Sequence, residues 1–190
     1  MSSTGIGKHM SKVNVGDVVD NFIFDILDDS GLNMHDVVKQ HRKTAFIFLR
    51  YYGCPLCQMD MHEMAKSYSA LTDDDAYIYV VLQSDKEKLK EKLEGHALPY
   101  PIICDPTQAL YKQLEIDVAE DKAKLLDAKT ALKIGKMKLG GYQHGEYEGE
   151  ELQLPATFIL DKDAKASYVH YGKGAGDTPS VNKLISLLHE

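Results

Sequence analysis

Apolar runs too short for surface helices alternate along the chain with stretches of helical spacing, and turn-forming clusters separate them. Phe22 to Leu27 (FIFDIL) runs into Asp28-Asp29-Ser30-Gly31, which predicts a strand closed by a turn, with Leu32 to Met34 as its return. Asp36 to Gln40 predicts a short helix. Thr44 to Tyr51 (TAFIFLRY) is a continuous β-branched and aromatic run, as expected of a central parallel strand buried on both faces. Beyond it Met61, Met64, Ala65, Tyr68 and Leu71 recur at helical spacing, with His62, Glu63, Lys66 and Ser67 on the other faces. Residues 55–71 therefore predict an amphipathic helix, ended by Asp73-Asp74-Asp75. Ala76 to Leu82 predicts a second buried strand, Asp85 to Glu94 a charged surface helix, Ile102 to Cys104 a short strand, and Gln108 to Leu114 a helix.

The rhythm breaks over 117–150. Val118 to Ile134 has helical composition, and Gly135 to Glu150 holds glycines among polar and aromatic residues, which predicts an insertion with a mobile loop. Regularity returns with a strand over Ala156 to Leu160, a turn at 161–164, a strand over Ser167 to Tyr171 and a closing helix over Ser180 to His189. This order predicts an α/β fold, a central mixed sheet flanked by helices with a hairpin at the N-terminal end. Residues 1–12 show no periodic pattern and are read as a flexible leader; 13–190 are read as one domain carrying the 117–150 insertion.

A chain of 190 residues, 44% of them hydrophobic, can bury a core without staples. The net charge of −7 offers nothing to attract nucleic acid or an acidic membrane surface, so neither is expected as a partner. No apolar stretch approaches the ~20 residues of a membrane span, and the first residues lack the apolar middle of a secretory signal, so a cytoplasmic location is expected.

Two of the three cysteines stand in Tyr52-Gly53-Cys54-Pro55-Leu56-Cys57, where the central strand hands over to a helix. Pro55 suits the first helical position, which makes Cys54 the N-cap. A sulfur there faces the free amides of Leu56 and Cys57 and the positive end of the helix dipole, an environment that lowers a thiol pKa from ~8.5 into roughly the 3.5–7.5 range. Cys57, one turn on, shares nearly the same face, so a reversible Cys54–Cys57 disulfide is expected. Such a link closes a very short loop and is better explained by chemistry than by folding. A structural zinc would need a second Cys-x-x-Cys or a His-x-x-x-His pair, and only the distant Cys104 and scattered histidines remain, so no metal is expected. The redox reading requires the two sulfurs to be close together and reachable from water.

With these residues in place, the chain resembles the thioredoxin-like fold in its alkyl hydroperoxide reductase/thiol-specific antioxidant, or peroxiredoxin-like, branch over roughly 13–190. Val15-Gly16-Asp17 followed by Asn21-Phe22, Cys104-Asp105-Pro106 with Leu110-Tyr111-Lys112, Leu154-Pro155-Ala156-Thr157-Phe158-Ile159-Leu160-Asp161, and Gly176-Asp177 carry the resemblance. It implies that Pro155 is cis and faces the cysteines. Ordinary peroxiredoxins carry Pro-x-x-x-Thr-x-x-Cys, and alignment on Cys57 puts Arg50 at the proline and Cys54 at the threonine. They also use a downstream arginine on the peroxide, whereas no arginine follows Cys57 here. Arg50 is read either as its substitute or as an exposed charge at the strand end.

Two enzymatic readings follow. In the first, Cys57 attacks a hydroperoxide, becomes a sulfenic acid and condenses with Cys54. In the second, of the thioredoxin type, Cys54 attacks a protein disulfide and Cys57 resolves it. Either way an external thiol system, such as thioredoxin or glutathione, is the expected reductant, since no nucleotide fingerprint appears and no cofactor is expected. A third reading is a non-enzymatic redox sensor whose disulfide alters the 135–150 loop. Cys104 is read as a small buried filler, Met61 and Met64 as core with Met59 beside them, and His62 as exposed. His144, Tyr142 and Tyr147 are read as lining an entrance or as plain surface.

Overall fold

The computed structural model describes residues 12–190, so the leader, Lys12 excepted, lies outside the described residues. The elements run β1 (Ile23–Phe24), β2 (Leu32–Asn33), α1 (Met34–Val38), β3 (Lys43–Phe48), α2 (Pro55–Lys66), α3 (Tyr68–Leu71) and β4 (Ala76–Leu82). There follow α4 (Lys86–Lys92), β5 (Ile102–Cys104), α5 (Ala109–Gln113), α6 (Ala128–Leu139), β6 (Ala156–Asp161), β7 (Ala166–Tyr171) and α7 (Val181–His189). The main sheet has the order β5-β4-β3-β6-β7, with β3, β4 and β5 parallel and β6 and β7 antiparallel to their neighbours. β1 and β2 form a separate antiparallel hairpin.

Alternation along the strands divides the core in two. Ala45, Ile47 and Leu49 join Ile78, Val80 and Leu82 on the face covered by Met61 and Met64 of α2, Leu89 of α4 and Leu184 and Leu188 of α7. Phe46 and Phe48 join Tyr79, Val81 and Phe158 on the other face, beneath Phe22, Phe24, Met34 and Val38. Each such side chain contributes roughly 1.5–3 kcal/mol of burial, so the middle strand, apolar on both faces, is the most firmly held part of the sheet. Its end is also fixed laterally, because the buried Tyr111 hydroxyl donates to Leu49 O at 2.6 Å and Val81 O at 3.1 Å. Asp105 sets α5 in place for this by accepting the Ala109 and Leu110 amides.

The amphipathic pattern over 55–71 divides at Ser67, which leaves helical geometry at φ −106°, and the chain restarts as α3 to pack on α7. The helix expected over 118–134 begins ten residues later. Val118 is instead bridged to Gln153, Asp121 caps a short 3-10 turn over Lys122–Leu125, and Asp127 caps α6 through the Thr130 amide at 2.7 Å. Aspartates that accept early amides fix these starts, and α6 then runs through Gly135 to Leu139. Among the described residues no helix is long and apolar enough to cross a membrane.

Candidate active site

β3 ends and Leu49, Arg50 and Tyr51 lead out of the sheet, still tied to β4 by Leu49 N–H donating to Val81 O and Gln83 N–H to Arg50 O. A turn closes with Cys54 N–H on Tyr51 O at 3.1 Å, and Pro55 opens α2, the first helical bond running from Gln58 N–H to Cys54 O at 2.9 Å. Cys54 is therefore the N-cap, as its place before proline predicts.

The two thiols hydrogen-bond one another, so the pair is close enough to join. Arg50 reaches both. Its Nη1 lies 3.5 Å from Cys54 Sγ and its backbone N–H 3.4 Å from Cys57 Sγ, while Nη2 donates to Glu151 O. Only 8% of Arg50 is exposed, so it is not an exposed charge at the strand end. The sheet's parallel strands point their ends at this spot, and the long side chain has no water-filled direction to take.

The electrostatics separate the sulfurs. The hydrogen bond from Cys57 lowers the Cys54 pKa to about 6; burial opposes this, and the Arg50 charge and the Cys57 and Leu56 amides assist it. Those amides incline to the sulfur without closing a standard side-chain cap bond. Burial, with the bond it gives to Cys54, pushes Cys57 well up although Arg50 pulls the other way. For Arg50 burial disfavours the charge, and the neighbouring Cys54, Cys57 and Tyr51 more than offset it. One proton is thus shared across the dithiol and rests on Cys57, leaving the negative charge on Cys54 beside the guanidinium.

Proximity is met, but access to water is not. Cys54 is 0% and Cys57 2% exposed. The cover is residues 142–151, expected as a mobile loop and found laid across the site. Gly145 N–H donates to Gly53 O at 2.8 Å. A Cβ at Gly53 would stand 2.1 Å from Glu146 O, so only glycine admits the crossing. His144 Nε2 meets the Tyr51 hydroxyl at 3.0 Å and its Nδ1 lies 2.7 Å from Gly145 O, while Tyr147 packs on both rings. Glu148 accepts from Ser84 Oγ at 2.8 Å, and Ser84 accepts the Tyr52 amide. Gln83 and Glu150 exchange backbone and side-chain bonds.

Pro155 differs from its implied geometry. No peptide bond among the described residues is cis. The trans chain enters β6 extended, with Leu154 N–H on Asp117 O and Pro155 O accepting Gly172 N–H at 2.8 Å, and the proline ring abuts Gly172. Cys104 stands apart from the pair, part-buried, its pKa pushed up to about 12 mainly by burial. His62 is exposed, and Met59, Met61 and Met64 are buried in the α2 packing. Among the described residues no group of three or more ligating side chains forms a metal site. Gln83 and Ser84 escaped the sequence reading, though polar residues directly after a buried parallel strand mark the place where such folds put their sites, and Glu148 is part of the segment they brace.

A dithiol at the first turn of the helix that follows the central strand, over a mixed sheet of this order, defines a thiol oxidoreductase of thioredoxin-like architecture. The AhpC/TSA family model matches residues 15–169, and the chain belongs to that family. Peroxiredoxin-like 2C of Mus musculus is 24% identical over 174 residues, covering 86% of this chain and 76% of that protein. The Bos taurus counterpart is 23% identical, covering 86% and 75%. In fold the chain is similar to a cysteine-to-serine mutant of peroxiredoxin 6 of Arenicola marina, with TM-score 0.69, 15% identity and coverage of 93% and 72%. It is also similar to the peroxidoxin BcpB of Mycobacterium tuberculosis, with TM-score 0.66, 14% identity and coverage of 92% and 96%. The family and the adjacent free thiols of Cys54 and Cys57 make this a redox enzyme that works through a Cys54–Cys57 disulfide.

Proposed function

We propose that the protein reduces hydroperoxides, with Cys54 carrying the attacking thiolate and Cys57 resolving. The thiolate attacks the terminal peroxide oxygen, the S–O bond forms as the O–O bond breaks, and the departing alkoxide takes a proton to leave as an alcohol. The Cys57 thiol then attacks the Cys54 sulfenic acid, the S–S bond forms and water departs. An external thiol pair, of the thioredoxin or glutathione kind, returns the disulfide to the dithiol and is itself oxidised. A reducing, cytoplasmic compartment suits this cycle.

One observation carries the reading: the Arg50 guanidinium stands against Cys54 Sγ in a site closed to solvent. The cation favours the Cys54 thiolate, and Arg50 Nε, buried without a protein partner, is a spare donor for a peroxide oxygen. The closed cover favours a small oxidant over a protein disulfide. This order inverts the one that the peroxiredoxin resemblance implies, in which Cys57 attacks, and keeps the polarity weighed for disulfide exchange.

Trapping of sulfenic acid in the single-cysteine variants decides the order. Sulfenate in Cys57→Ser and none in Cys54→Ser is expected. The reverse pattern transfers the attack to Cys57, and none in either variant removes the peroxidase reading. Steady-state turnover of peroxide with a thiol reductant separates an enzyme from a sensor, which consumes only one equivalent, and reduction of insulin disulfides would favour the exchange reading.

A further inference from the structure

Residues 142–151 reach the dithiol from one side and are anchored on the other. The anchor is polar. Lys88 and Lys92 of α4 hold Glu146 at 3.0 and 3.4 Å, and Lys92 lies 3.7 Å from Glu148. Glu148, whose side chain is only 7% exposed, also accepts from Ser84, the residue that holds the Tyr52 amide. Gly149 sits at φ +64° with its Cα side against Gln83. Contacts at the inner end are the backbone bond from Gly145 to Gly53, the bond between His144 and Tyr51, the Gln58 amide on Gln143 O, and the Tyr147 ring against Tyr51 and His144. Apolar packing is limited to those ring contacts, and His144, Gly145, Glu146 and Tyr147 are all exposed. A segment held by ion pairs and hydrogen bonds, only those of Glu146 being exposed, opens at lower cost than the apolar core beneath it.

We propose that this segment is a strap, latched to α4 through Glu146 and Glu148, whose release gates the dithiol for both partners of the reaction. Neither a hydroperoxide nor the thiol reductant meets sulfurs that are 0% and 2% exposed while the strap is closed, so both wait for the latch on α4 to let go. The inference rests on the peroxidase reading for the oxidising half of the cycle. The chemistry of the latch also fixes the kind of partner that gains entry: a molecule whose surface competes with carboxylates for Lys88 and Lys92 opens the strap as it docks. A reductant with an acidic patch beside its own thiol fits that requirement.

The test measures access independently of turnover. The reduced native protein, Glu146→Gln/Glu148→Gln and Gly149→Ala are treated with a bulky polyethylene-glycol maleimide, and separately with hydrogen peroxide in single turnover. Gly149→Ala loosens the same anchor by another route, because its Cβ would stand 2.5 Å from Gln83 Oε1. Bulky labelling of Cys54 and Cys57 is expected to rise about ten- to a hundred-fold in the variants, from the loss of one charged hydrogen bond and of exposed pairs. The single-turnover peroxide rate is expected to rise with labelling by a smaller factor, since hydrogen peroxide needs a smaller opening than the bulky maleimide. Raising NaCl toward 1 M, where the Debye length is about 3 Å, should speed native labelling several-fold and the Gln variant's hardly at all. Circular dichroism confirms that each variant is folded.

Native labelling as fast as that of the unfolded chain, or equal in all three proteins, overturns the strap. A peroxide rate that stays level while labelling climbs overturns the gating of the oxidant. Absence of any peroxide consumption by the native protein instead removes the peroxidase reading, while the labelling result still reports on the strap.

Discussion

Replacing Arg50 by methionine takes away the cation beside Cys54 and keeps an unbranched side chain in the buried path to Glu151. The native Cys54 thiol is held at about 6 against an ordinary 9.0, with the bond from Cys57 the largest contribution and the Arg50 charge a smaller one. A hydrogen bond to a charged group is worth about 1.5–3 kcal/mol, and one pKa unit is 1.36 kcal/mol, so the variant should titrate about one to two units higher. At pH 7 the thiolate fraction would then fall from about nine-tenths to between about half and a tenth, and the single-turnover peroxide rate by about two- to tenfold. The sign is set by which form attacks. The native rate rises as pH passes through about 6 and then levels, whereas the Arg50→Met rate continues to rise into the alkaline range. Stopped-flow peroxide consumption across pH, together with the ultraviolet absorbance of the thiolate, measures both curves. Any deficit that persists at high pH reports the lost donor to the peroxide. Superimposable profiles for native protein and variant would show that Arg50 does not set the ionisation, and the electrostatic account of Cys54 would be wrong.

Three further outcomes follow from packing. Tyr111→Phe deprives the Leu49 and Val81 carbonyls of a buried donor and should lower stability by about 1–2 kcal/mol in urea unfolding. Lys133→Met strands the buried Asp60 carboxylate, left with Thr178 as its remaining partner, at a cost of about 3–5 kcal/mol, much of it recovered when Asp60→Leu is added. Because burial already pushes the Asp60 pKa up, that loss should shrink as pH falls and the carboxyl takes a proton, which thermal melts across acidic pH would reveal. Gly172→Ala would press a Cβ to 2.8 Å from Pro155 Cγ, Pro155 O and Asp177 O and should cost about 1–3 kcal/mol by calorimetry.

The strands of the main sheet were legible because each is a short, continuous apolar run, and burial on both faces leaves such a run no alternative. The cysteine pair was legible because Pro55 fixes where the helix begins. Over 117–150 the same composition supports either a helix or a loop, and short-range capping by Asp121 and Asp127 decided the outcome. The strap was out of reach for another reason. Its anchors, Gln83 and Ser84 after β4 and Lys88 and Lys92 on α4, are more than fifty residues away in the chain, and no local pattern announces a partner at that distance. Arg50 was ambiguous because a strand-end arginine reads alike whether the space ahead of it is water or protein.

Both sulfurs belong to one turn of α2. Closing the S–S bond therefore asks for side-chain rotation alone, and the helix has no reason to unwind between the oxidised and reduced forms. An observer following hydrodynamic radius or far-ultraviolet dichroism through a catalytic cycle would register almost nothing, and electron flow through this protein would be visible only to a probe placed beside the sulfurs or on the segment that covers them.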